Sequence, residues 1–95
     1  MKKNEILEAQ QTHLELWESQ LDRYGKRIRE RPPGPRRKEM RRSLTHLRRR
    51  REMLENALVQ AAKDGQWRKR FELIEKAVAE FRDRALRLDF TLQEA

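Results

Sequence analysis

The chain has 95 residues, with 24 Lys plus Arg against 16 Asp plus Glu, a formal net charge of +8; 42% of it is charged and 36% apolar. That length allows one domain, and so few apolar side chains suit helices that each bury one narrow stripe better than an ordinary globular core. Without Cys there is no disulfide scaffold, thiolate zinc site or thiol nucleophile, and no run approaches the ~20 apolar residues of a membrane span.

Met1-Lys2-Lys3-Asn4-Glu5 begins with positive charge but no apolar stretch follows, so a signal peptide is not expected and the chain reads as a soluble, cytoplasmic protein. Asn4 is placed to cap a first helix, with Glu5 and Glu8 where the N-terminal dipole favours acid. From there Leu7, Gln10, Leu14, Trp17, Leu21, Tyr24 and Ile28 recur at alternating spacings of three and four, a heptad seam with one polar member, Gln10. The helix must stop near Arg31, because a residue before proline avoids the α region. Pro32-Pro33-Gly34-Pro35 makes a rigid turn, and Pro35 suits the first position of the next helix.

A second seam follows in Met40, Leu44, Leu47, Arg51, Leu54, Leu58 and Ala61. Asp64-Gly65 is a weaker break, a C-terminal stop and restart. The third seam is Trp67, Phe71, Ile74, Val78, Phe81, Ala85, Leu88 and Leu92. No stretch alternates with period two, so the fold class is all-α. The expectation is a single helical domain over 1–95, with helices at about 4–31, 36–63 and 66–93 and turns at about 32–35 and 64–65. Each helix would be about 42 Å long at ~1.5 Å per residue.

The proline turn makes a sharper demand. If the first two helices fold back antiparallel, facing seam residues must be mirror images about Gly34. Ile28 with Met40, Tyr24 with Leu44, Leu21 with Leu47, Trp17 with Arg51, Leu14 with Leu54, Gln10 with Leu58 and Leu7 with Ala61 all satisfy it. This predicts an antiparallel helical hairpin. From Ala61 to Trp67 is one residue short of a heptad, so a continuous helix through Gly65 would swing its stripe by about 100°. Breaking there and returning gives an up-down-up three-helix bundle with coiled-coil-like packing, Ala85 level with Tyr24 and Val78 level with Trp17. The competing arrangement is a long unbroken second helix that pairs with a second chain as a homodimer.

Charge is concentrated. Residues 1–22 carry 2 basic and 5 acidic groups, residues 52–95 carry 8 and 9, and residues 23–51 carry 14 and 2, a local excess of +12. Such a run can be simply a solvated face. However, Arg36, Arg37 and Lys38 fall in the first turn of the second helix, where the macrodipole disfavours cations and a bound anion would meet free N–H groups. Arg27, Arg29 and Arg31 arrive beside them from the first helix. The candidate polyanion contacts are Arg27, Arg29, Arg31, Arg36, Arg37, Lys38, Arg41, Arg42, Arg48, Arg49 and Arg50, with a nucleic-acid phosphate backbone the obvious partner. No aromatic is interleaved there beyond seam residue Tyr24, so base stacking and sequence preference are not expected. Arg48-Arg49-Arg50-Arg51 spans four successive helical positions, forcing Arg51 into the seam. Its stem is expected to pack on the Trp17 indole with its head in water, or else it selects register or partner; Gln10 invites the same two readings.

Other motifs carry less. Pro32-x-x-Pro35-x-Arg37 resembles a proline-rich ligand, but Gly34 interrupts it and Pro35 starts a helix. His13 and His46 have no companion ligands at metal spacing, and no glycine-rich phosphate loop exists. Ser19 and Ser43 lack a His with an orienting acid, so neither catalytic, metal nor cofactor residues are expected and the chain is not read as an enzyme.

The layout Leu14-x-x-Trp17-x-x-x-Leu21-x-x-Tyr24, the Arg-rich run to Leu54-x-x-x-Leu58-x-x-Ala61, then Gly65-x-Trp67, resembles small bacterial coiled-coil and helical-bundle proteins of uncharacterised function. The resemblance spans most of the chain and implies a helical bundle without a defined activity. The Pro-Pro-Gly-Pro turn and the basic tip depart from that pattern, so no function transfers. The expected function is a non-enzymatic interaction module whose basic tip binds a polyanion. The alternative is a coiled-coil protein-interaction or self-assembly module.

Overall fold

In the computed structural model, which describes residues 2–94, three helices follow one another: α1 (Lys3–Arg29), α2 (Pro35–Ala62) and α3 (Trp67–Gln93). α1 packs against α2 and α2 against α3, while α1 and α3 touch along a shorter line, giving an up-down-up three-helix bundle of 50 × 17 × 17 Å. No strand occurs among the described residues. The chain breaks at Asp64-Gly65, so the long continuous second helix does not form.

The three seams meet as one core. Leu7, Leu14, Leu21, Tyr24 and Ile28 of α1 are buried against Met40, Leu44, Leu47, Leu54, Leu58 and Ala61 of α2, and against Ile74, Phe81, Ala85, Leu88 and Leu92 of α3. At ~25 cal/mol per Å2 of buried apolar surface, this continuous stripe is what makes helices of such polar composition hold together. Tyr24 is 1% exposed, and burial pushes its phenol above its ordinary pKa even though a hydrogen bond with Gln20 pulls the other way. Gly25 beside it lets α2 come close: a Cβ there would lie 3.2 Å from Arg48 Nη2 and 3.3 Å from Leu44 Cδ2.

Two seam positions behave differently from expectation. Trp17 turns toward α3 and meets Phe81 edge-on, with ring centroids 5.5 Å apart and planes at 87°. Val78, expected at that level, packs half-buried beside the core. Contrary to expectation, the head of Arg51 is not free in water. Its guanidinium is drawn aside to Glu55 (3.1 Å) and Glu18 (3.8 Å) and reaches the Leu14 carbonyl at 3.5 Å, and the side chain is only 13% exposed. Gln10 stays in the seam, its Oε1 buried without a hydrogen-bond partner.

The helix ends are corrected as well. Asn4 does not cap α1, whose N-cap is Lys2 and has no side-chain cap bond. α1 ends at Arg29, and Arg31 N–H closes the turn on the Ile28 carbonyl at 3.1 Å. Pro35 opens α2 as expected, which takes it out of the extended form a proline-rich ligand needs. At the second break no glycine adopts positive φ. The stop is instead a turn in which Lys63 and Asp64 N–H groups bond back to Gln60 and Ala61. Asp64 Oδ1 then accepts the Gln66 N–H at 2.9 Å and Oδ2 pairs with Arg70 in the first turn of α3.

Candidate functional site

The hairpin turn gathers the C-terminal end of α1, the N-terminal end of α2 and the C-terminal end of α3 at one end of the rod. Helix α3 reaches there because it mirrors α2 about Gly65. His46 with Arg84, and Arg50 with Glu80, lie at equal chain distances from that glycine and touch at 2.9 and 3.8 Å. The eleven candidate contacts divide into two groups under this geometry.

Four of them are engaged within the bundle. Arg27 Nη2 donates to the Leu92 carbonyl at 3.4 Å and Nη1 lies 3.6 Å from Asp89. Arg31 donates to the same Leu92 carbonyl. The last turn of α3 has no basic residue of its own, so these two cations supply in trans the charge a helix C-terminus favours. Arg48 pairs with Asp22 at 3.0 Å across the α1–α2 face, and Arg50 with Glu80 across α2–α3. Arg27, Arg48 and Arg50 keep 38–46% of their side-chain surface exposed, so these three ion pairs contribute only about 0.2–1 kcal/mol each, and Arg31 is half-buried.

The other seven, Arg29, Arg36, Arg37, Lys38, Arg41, Arg42 and Arg49, have no hydrogen bond or ion pair to another side chain among the described residues. Arg37 is half-buried, with an unpartnered Nε; the other six are exposed. Six of the seven belong to α2. At ~100° per residue, Lys38 and Arg49 fall on its outward face with Arg41 beside them, over a rise of about 16 Å, and Arg42 lies between that face and α3. Arg36 points instead toward α3.

Between α2 and α3 at this end runs a groove of about 920 Å3. Its floor is apolar, formed by Met40, Leu47 and Leu88, and Arg36 and Arg42 stand on the α2 wall. The α3 wall carries Arg84 and Arg87, which sequence reasoning left out because their segment is nearly neutral in sum. Only a periodicity argument carried through the second turn, mirroring α3 on α2 about Gly65, could have found them. His46 lies in the same groove, and Glu39 and Glu94 line it without an ion pair to any of the four arginines.

Among the described residues no group of three or more His, Asp or Glu side chains is placed to hold a metal ion, and no helix is long and apolar enough to cross a membrane. What the arrangement can do chemically is attract and hold anions: guanidinium groups are permanently charged and offer forked donors to phosphate. No protein-family model, curated protein or solved structure matches the chain, and its function has to be read from these residues alone.

Proposed function

We propose that the chain is a non-enzymatic helical module that binds nucleic acid through its phosphate backbone, without sequence preference, at the basic end of the bundle. The observation that carries this reading is the set of seven cations, six on α2 and Arg29 at the end of α1, that serve no side-chain partner among the described residues. Folding gains nothing from crowding them there, since like charges at short range repel and the N-terminal end of α2 disfavours them further. A polyanion reverses both costs by releasing its own counterions on contact. The reading places the chain in the cytoplasm, within reach of nucleic acid.

Fluorescence anisotropy with a labelled mixed-sequence duplex tests it. Binding is expected at about 50 mM salt and should weaken by about three orders of magnitude by about 200 mM if six or more phosphates are contacted. Arg36→Glu combined with Arg37→Glu should weaken it at least tenfold and make the salt dependence shallower. Absence of binding at the lower salt, or no effect of the double substitution, refutes the reading.

A second reading, a protein-interaction or self-assembly module, draws on Leu16, Met53, Leu73 and Phe90, each more than 60% exposed. Met53 and Leu73 line one shallow hollow on the α2–α3 face together with Ala57 and Ala77. Sedimentation at two protein concentrations separates the two, since only self-assembly makes the mass concentration-dependent.

A further inference from the structure

The groove between α2 and α3 differs from the outward face of α2 in a way that bears on which phosphates are held most firmly. The outward face is a convex row of solvated cations, whose attraction at physiological salt is screened within ~8 Å. The groove has opposed basic walls, Arg36 and Arg42 on α2 and Arg84 and Arg87 on α3, above an apolar floor. Four arginines against Glu39 and Glu94 leave the groove net basic, and a concave basic surface over an apolar floor attracts an anion more strongly than a convex row does.

His46 adds a specific chemical feature. Arg84 Nη1 lies 2.9 Å from His46 Nε2. A guanidinium can only donate, so this contact is a hydrogen bond only when Nε2 is the acceptor, as in a ring protonated on Nδ1 alone. Protonating the ring converts Nε2 from acceptor to donor and leaves Arg84 without its acceptor. Two adjacent cations then need a new acceptor, and a phosphate oxygen in the groove can serve both.

We infer that this groove is a phosphate-binding cradle for the nucleic-acid backbone, closed by Arg84 and Arg87 from α3, in which protonation of His46 tightens the grip. The inference rests on the polyanion reading above and adds to it a defined seat and a pH response. The charged groups that line the groove with His46 are Arg36, Glu39 and Arg42 on α2, Arg84 and Arg87 on α3 and Glu94 at its end, with the Arg50–Glu80 pair one turn further along; no α1 residue lines the groove. Among these side chains histidine is the one whose charge ordinarily changes between about pH 5 and pH 8. Because bound phosphate favours the protonated ring, linkage requires affinity to rise as pH falls through that range.

The chain has two histidines, and the other, His13, is exposed on α1 in the acidic first segment, which makes it an internal control. Proton NMR of the two imidazoles is followed against pH with and without a short mixed-sequence DNA duplex at low salt. The His46 midpoint should rise by about one pH unit on binding, equivalent to about tenfold tighter binding to the protonated form, while His13 stays in place. Arg84→Gln combined with Arg87→Gln, both at exposed positions, should abolish the His46 response and weaken duplex binding about tenfold. If the duplex binds but His46 is unmoved or moves only as His13 does, or if the double variant binds like the parent, the cradle is refuted and the polyanion reading survives. If the duplex does not bind at all, both fall.

Discussion

Arg51 shows how a charged side chain can occupy a core position of a helical bundle. Four successive arginines on one helix must place one toward the seam, and the structure resolves the conflict by tethering its head to Glu18 and Glu55 at the edge of the α1–α2 interface. Its stem supplies the packing and its head is only partly desolvated. Replacing a partly buried ion cluster with an apolar side chain is often neutral or stabilising, whereas truncation loses both packing and pairing. Chemical denaturation should therefore find Arg51→Ala destabilised by about 1–3 kcal/mol and Arg51→Leu within about 1 kcal/mol of the parent or above it. A variant Arg51→Leu that falls with Arg51→Ala would show that the Glu18–Arg51–Glu55 cluster is itself needed. The seam position of Arg51 was legible in the heptad spacing. The fate of its head was not, because Trp17 turned to an aromatic partner on α3 that only the tertiary fold supplies.

At the scale of helices and turns, periodicity carried most of the information and capping carried little. Buried seams repeat over several heptads, so each error in one residue is outvoted by the rest, and the mirror relation about Gly34 set the hairpin register. A cap is a single side-chain bond, and none of the three helices uses one at its N-terminus. The closest equivalent is Asp64, which holds the start of α3 from two residues upstream. The Gln66 N–H, and after it Arg70, hold the Asp64 carboxyl below the ordinary carboxylate value against a smaller effect of desolvation. A pKa lowered on folding contributes stability that is complete above the unfolded value and is lost as pH falls through the folded one. Thermal melts should accordingly show Asp64→Ala less stable than the parent at neutral pH, with the gap closing in acid below the carboxylate range. A gap that persists unchanged in acid would assign the effect of Asp64 to something other than its charge. The same long-range logic explains why the engagement of Arg27 and Arg31 within the fold was not legible in the sequence: the carbonyl they serve belongs to Leu92, at the far end of the chain.

The whole molecule has a basic α2 segment, and yet its candidate site is not a property of that segment alone. A run of 14 basic against 2 acidic groups is visible at a glance, so the general location of the surface was legible. Its internal division was not, since four members are committed to the fold and two further arginines, Arg84 and Arg87, join from a nearly neutral stretch. Shape now adds a consequence. The bundle is 50 Å long and 17 Å wide, and its net positive charge lies on the half toward the hairpin turn; the other half, where the acidic residues of α1 meet Arg68, Lys69 and Arg70 of α3, is nearly balanced. Such a rod is an electric dipole that a polyanion turns to face, basic pole first, before contact is made. Bound by that pole, each molecule would cover a length of duplex close to its own width, about five base pairs at ~3.4 Å each, instead of the roughly fifteen it would shadow lying flat. Titrating a long duplex to saturation at low salt measures this occluded length directly, and a value near fifteen would mean that the nearly neutral half is held against the nucleic acid as well. At the shorter spacing neighbouring rods stand side by side with their nearly neutral halves outward, so that a saturated duplex would present an almost uncharged brush in place of its own phosphates.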